Sequence, residues 1–175
     1  MASGDPLFNI NMDQGLPPAS LYATPDSRNA PSPAPDMEVL ILDFDASQKE
    51  YMDFPIVLPP FYSGGGITVT LGFSMSTATA PLQVRLGAAF AAWAPGTQVW
   101  TTWDFATARE VSAECPSIVH SAGEAEIDFS AVQADGMAAG EWGVLRVYRD
   151  PTFVGPPADD ATGDWELIYI KGTEA

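Results

Sequence analysis

The chain has 175 residues, enough for one domain and an appendage, and its 46% hydrophobic and 11% aromatic content supplies a real core. Seven Lys+Arg against 23 Asp+Glu leave a formal net charge of −16. A surface this acidic repels phosphate backbones, so no nucleic-acid partner is expected. The single cysteine, Cys115, excludes an intrachain disulfide framework and a cysteine-based zinc site.

The opening MASGDPLFNINMDQG lacks the basic and long apolar regions of a signal peptide, and no apolar run approaches the roughly 20 residues of a membrane span. The expectation is a soluble chain made in a cytoplasm, with no membrane partner. Residues 1–37 hold seven of the 16 prolines: Pro6, Pro17, Pro18, Pro25, Pro31, Pro33 and Pro35. Proline fixes φ and removes a donor, so this segment is expected to be an extended arm in front of a β domain over 38–175. Within it Phe8, Ile10 and Met12 alternate with Asn9 and Asn11, one short strand's worth of pattern. That pattern suits a loose terminus with incidental hydrophobes or an arm that docks on a neighbour and adds an edge strand.

The stretch Met37 to Met75 organises the rest. Val39 and Ile41 alternate with Leu40, Leu42 and Phe44, and Met52, Phe54, Ile56 and Leu58 alternate with Tyr51, Asp53, Pro55 and Val57. Ile67, Val69, Leu71 and Phe73 alternate with Thr68, Thr70, Gly72 and Ser74. Period two, bounded by Gly, Pro and Asp/Ser clusters, marks strands of a two-layer sheet. Strand-like runs over 38–44, 51–58, 67–76, 82–92, 108–115, 123–129, 142–149 and 164–171 predict an all-β antiparallel sandwich of about eight strands. The alanines of LGAAFAAWAP suit a helix, but flanking Leu82, Val84, Leu86 and Pro95 favour a long inner strand. One helical turn is expected within 130–139.

Catalytic chemistry has little to build on. His120 is the only histidine, and no serine or cysteine elbow accompanies it, so a nucleophile–base pair is not expected. Glu124 and Glu126 share a strand face, yet glycoside hydrolysis needs carboxyls facing each other across a cleft. Asp43, Asp45 and Ser47 begin like a calcium loop, but Gln48 and Phe54 stand where its glycine and glutamate belong. That cluster and Asp159, Asp160 and Asp164 read as solvated turns. Ser63-Gly64-Gly65-Gly66 leads into a strand rather than a helix, so it is a turn and not a phosphate cradle. No cofactor is implied.

Trp93, Trp100 and Trp103 crowd one connection, WAPGTQVWTTWDF, with Trp142 and Trp165 elsewhere. Buried, they plug the end of the sandwich or a subunit contact; exposed, they form a sugar-stacking platform.

Three segments carry a family resemblance: FDASQKEYMDFPIVLPPFYSGGGITVTLGF, DFSAVQADGMAAGEWGVLRVYRD and TGDWELIYIKG. They resemble small structural proteins of tailed bacteriophages through Phe44, Asp45, Ala46, Ser47, Glu50 and Tyr51, the turn of Leu58, Pro59, Tyr62, Gly64 and Gly65, and Leu145 to Asp150. Leu82 to Leu86 depart from it, since members often carry a tryptophan in the fourth strand. The resemblance implies a jelly-roll-like sandwich and a virion component. The main expectation is therefore a capsid decoration (cement) protein on the outer surface of the expanded head, with the major capsid protein and its own copies, as a homotrimer, for partners. On this reading Phe8, Ile10, Met12, Leu16, Leu21 and Tyr22 of the arm make the capsid or neighbour contacts, and Trp93, Trp100 and Trp103 are interface aromatics. The alternative is a carbohydrate-binding, host-adsorption module of a tail or head fibre, which requires exposed tryptophans.

Overall fold

The computed structural model describes residues 4–31, 34–96 and 98–175. Pro33 of the proline-rich segment and Thr97 of the APGT turn lie outside them. Ten strands form among the described residues: β1 (Pro6–Asn11), β2 (Thr24–Ala30), β3 (Met37–Phe44), β4 (Glu50–Val57), β5 (Ile67–Met75), β6 (Gln83–Trp93), β7 (Arg109–Glu114), β8 (Gly123–Phe129), β9 (Trp142–Arg149) and β10 (Trp165–Glu174). One sheet runs β2-β3-β10-β5-β8 with β1 also on β10, and the other runs β4-β9-β6-β7. All pairings between these strands are antiparallel. The all-β sandwich expected from the alternation is the fold, and the alanine-rich run is strand β6.

The alternation explains the packing. Ile67, Val69, Leu71, Phe73 and Met75 of β5 turn one face inward and are almost wholly buried, because successive side chains of a strand point to opposite faces. From the facing sheet come Met52, Phe54 and Ile56 of β4, Leu145 and Val147 of β9, and Val84, Leu86, Ala88 and Phe90 of β6. Phe90 meets Phe129 edge-on across the core, with ring centroids 4.8 Å apart. Trp165 is fully buried between Phe44 and Phe73, so this tryptophan belongs to the core.

Strand β10 is the hub of the larger sheet. Its first residues, Trp165 to Leu167, pair with β3, while Tyr169 to Thr173 pair with β1. Its register against β5 shifts between Leu167 and Tyr169, and a bulge of this kind adds twist and re-aims a strand.

The expectation of a separate arm is corrected here. The residues before Met37 supply two strands, making ten where about eight were expected. Between them, residues 15–23 cross to the other sheet and lie along the free edge of β4. Leu16 N–H donates to Asp53 O at 2.7 Å, Tyr51 N–H to Leu21 O at 2.8 Å, and Ala23 N–H to Tyr51 O at 3.2 Å. An open strand edge invites pairing with another chain, and this strap covers it. The edge past Asp53 carries Pro55, whose nitrogen has no hydrogen to satisfy.

The helical turn expected within 130–139 forms as a single turn that is not continued, with Ala134 N–H donating to Ser130 O at 2.9 Å and Gly136 N–H closing it onto Ala131 O at 2.9 Å. The turn expected to be solvated at Asp159, Asp160 and Asp164 is so at exposed Asp160, but the Asp159 side chain is buried. Buried Arg149 donates to both carboxylate oxygens of Asp159 at 2.9 Å, to Gly163 O at 2.6 Å and to Ala161 O at 2.7 Å. Asp160 accepts from Gln83 N–H at 2.6 Å.

Candidate functional site

The outward face of the four-stranded sheet carries the largest assembly of aromatic side chains. Trp93 ends β6 and Trp142 begins β9, and the two are paired in register, so their indoles share one face with centroids 6.2 Å apart. The connection after β6 doubles back over them. It lays Trp100 against Trp93 at 4.4 Å with planes 30° apart, and sets Trp103 edge-on to Trp93 at 5.1 Å and 5.3 Å from Trp142. Trp103 is fixed by its indole N–H, which donates to Ala92 O at 2.7 Å. The loop is tied down further on, where Ala106 N–H donates to Phe90 O at 2.8 Å. Stacked and edge-on ring pairs at these separations are the favourable geometries of the aromatic quadrupole.

Beside the tryptophans is a cleft of about 380 Å³. Trp100, Trp103, Phe105 and Trp142 wall it, Ala91 and Val144 floor it, Leu16 and Pro17 of the strap close one side, and Asp53 and Asp104 bring carboxylates. Trp100 is 70% exposed and Leu16 56% exposed, an unusual outlay of apolar surface on an acidic chain. Asp53 is held by a two-pronged bond from Arg146, at 2.6 and 2.7 Å, whose guanidinium also lies 4.1 Å from the Phe105 ring centroid. The strip continues along β9 and β4. Tyr51 and Tyr148 lie 5.5 Å apart, Lys49 sits 4.1 Å over the Tyr148 ring and pairs with Asp150 at 2.7 Å. The Tyr148 hydroxyl donates to Glu110 at 2.8 Å; burial first, and then that carboxylate, push the phenol well above its ordinary range.

The other outward face holds a buried carboxylate, Glu166. It accepts from Arg28 Nε at 2.9 Å and Nη2 at 2.6 Å and from the Ser74 hydroxyl, with His120 Nδ1 at 3.3 Å. Burial alone would raise this carboxyl, but the Ser74, Arg28 and His120 bonds outweigh it and hold it low. The carboxylate, not the imidazole, joins Ser74 to His120. Nothing here activates the serine, since a triad needs the base between nucleophile and acid. Nearby Asp43 is pushed up to about 6, by burial first and against the pull of Arg28. Among the described residues no three His, Cys, Asp or Glu side chains are grouped to hold a metal ion, and no helix is long and apolar enough to cross a membrane.

The residues singled out in sequence divide. Trp93, Trp100 and Trp103 come together in one cluster, joined by Trp142. Leu16 meets them in the cleft, while Leu21 and Tyr22 are exposed on the strap. Ile10 and Met12 are buried in the chain's own core and Phe8 packs against it, half-buried over Gly172. The cleft residues that periodicity missed are Asp53 and Arg146, which topology brings to it, and Phe105, which follows Trp103 in the same connection.

No family model matches the chain, and no curated protein sequence matches it. Its fold is similar to solved structures of binding modules. A family 35 carbohydrate-binding module from an environmental isolate aligns with a TM-score of 0.51 at 8% identity, covering 95% of this chain and 93% of that one. A family 11 carbohydrate-binding module from Clostridium thermocellum, solved with a β-1,3-1,4-mixed-linked tetrasaccharide, aligns with a TM-score of 0.51 at 9% identity, covering 100% and 98%. These likenesses define the class by fold: a jelly-roll-like all-β sandwich of the kind found in carbohydrate-binding modules.

The expectation of a capsid decoration protein is corrected by these findings. The two solved structures just described are carbohydrate-binding modules and not virion components. The arm that was to grip the major capsid protein is instead β1, β2 and a strap of the chain's own sheets, with Ile10 and Met12 already spent on its core.

Proposed function

We propose that this chain is a non-catalytic carbohydrate-binding module and that it holds a polysaccharide against the outward face of the four-stranded sheet. The observation that carries the reading is the exposed Trp100 indole, supported from behind by Trp93 and met edge-on by Trp103, with Trp142 beyond on the same cleft wall. A pyranose ring has an apolar C–H face and an equator of hydroxyls. Rigid indoles bury the first at low entropic cost, and polar side chains at the cleft margin take the second. The fold likeness to carbohydrate-binding modules, one of them solved with a bound tetrasaccharide, supports the same reading.

The site favours binding over bond cleavage. Asp53 gives both oxygens to Arg146, and a carboxylate so engaged is poorly placed to serve as a general acid. Native affinity electrophoresis through gels containing soluble polysaccharides tests the proposal. The expected result is retardation by at least one polysaccharide, abolished in Trp100→Ala. Unchanged mobility in every polysaccharide overturns it.

A further inference from the structure

We infer, resting on that reading of the face, that the ligand is an uncharged pyranose polysaccharide and that Asp104 selects it by accepting hydrogen bonds from its hydroxyls. The first ground is the state of the cations. Among the described residues, Lys49, Arg85 and Arg146 are the basic side chains of this face, and each already carries a carboxylate. Arg146 holds Asp53 at 2.6 Å, Lys49 holds Asp150 at 2.7 Å, and Arg85 holds Glu110 at 3.1 Å. A uronate or sulfate group entering the cleft would find no free cation among the described residues and would displace one of these pairs. It would also approach a chain of net charge −16, whose field repels a polyanion before contact.

The second ground is Asp104 itself. It lines the cleft beside Trp103 and Phe105, is exposed, and receives no hydrogen bond among the described residues. A carboxylate only accepts, so it asks for donors. Sugar hydroxyls supply them in adjacent pairs, whereas an acidic sugar presents a further acceptor. A polycationic glycan is disfavoured on a different count: it repeats an ammonium on each sugar, and the cleft offers one open carboxylate, the other being tied to Arg146. The remaining lining is aromatic and aliphatic, which suits neutral sugars held by their C–H faces.

Isothermal titration of the full chain tests this against neutral polymers (mixed-linkage β-glucan, galactomannan, xylan), polyuronates (polygalacturonate, alginate) and chitosan, each at low and high salt. The expected result is binding to a neutral polymer, with affinity changed by less than about twofold by salt, since no net charge is neutralised. Asp104→Asn should weaken that binding about tenfold, the scale of one hydrogen bond to a charged acceptor, while leaving the thermal midpoint unchanged. Tightest binding to a polyuronate or chitosan, weakened by salt, would overturn the neutral assignment and leave the glycan reading standing. An unaltered affinity in Asp104→Asn would overturn the role of that residue. Failure to bind any polymer removes the glycan reading and this inference with it.

Discussion

The Trp100 indole lies on the Trp93 indole with centroids 4.4 Å and planes 30° apart, yet Trp100 remains 70% exposed. A core tryptophan would bury both faces of its ring; Trp100 spends one on its neighbour and offers the other to solvent. Trp93 thereby acts as a backing plate that fixes the angle of the exposed ring.

From this arrangement, Trp100→Ala should remove affinity without removing stability. Central aromatic anchors contribute about 2 kcal/mol or more on truncation, so glycan binding should fall at least about tenfold. Exposed substitutions change folding by about 0.5 kcal/mol, so the urea midpoint should stay near wild type. Trp93→Ala should lower both, because it withdraws support from Trp100 and packing from Trp103. Titration and urea denaturation of the two variants separate the roles; equal loss of stability in both would show Trp100 to be structural.

Gly87 controls the other end of the aromatic strip. A Cβ at this position would overlap the Tyr148 ring, which lies flat on the β6 backbone and donates its hydroxyl to Glu110. Gly87→Ala should force that ring outward and break the bond, at a cost of about 1–3 kcal/mol for overpacking. Chemical denaturation reads the loss, and the Tyr148 phenol should then titrate at lower pH in an ultraviolet pH scan.

The eight strands from Met37 onward were legible in the sequence to within a residue or two at most ends: β4 and β8 bury one face and write period two into their residues, while β5 and β6, buried almost throughout, read as long apolar runs between turns. Strand β2, TPDSRNA, was not. As the outer strand of its sheet it is held by backbone pairing to β3, and backbone pairing leaves no hydrophobic pattern. The cleft was legible only where it is local. Trp93, Trp100 and Trp103 are close in sequence, but Leu16 and Asp53 reach them through the strap on β4, and Arg146 through the register Asp53↔Arg146. The proline-rich segment misled for a related reason: proline restricts hydrogen bonding on one side of a strand and does not prevent the other side from pairing.

Arg149 and Asp159 form a fully buried pair, with side chains 0% and 1% exposed. Truncating one partner strands the other charge in the interior, which costs about 3–5 kcal/mol. Arg149→Ala should therefore destabilise the sandwich by that amount and also release residues 159–163, whose carbonyls the guanidinium holds. Arg149→Ala paired with Asp159→Ala should recover part of the loss, since no lone charge remains. Thermal melts of the single and double variants check this; a double variant as unstable as the sum of the singles would show that the pairing itself contributes nothing.

Asp43 gives the fold a measurable dependence on pH. Its carboxyl is pushed from 3.8 up to about 6, by burial first, with Arg28 opposing and Glu166 adding to the rise. A folded-state pKa above the unfolded one means that the native protein binds the proton more tightly. The resulting contribution to stability is complete below about pH 3.8 and is lost as pH rises through about 6. Asp43→Asn keeps the shape and cannot ionise, so it escapes that loss. The stability of the variant relative to wild type should therefore rise as pH goes from about 4 to about 8. Arg28 remains paired with Glu166 and Asp26 in the variant, so its own charge stays compensated. Urea denaturation of both proteins across this range checks the sign: a difference independent of pH would mean that Asp43 titrates alike in the folded and unfolded chain.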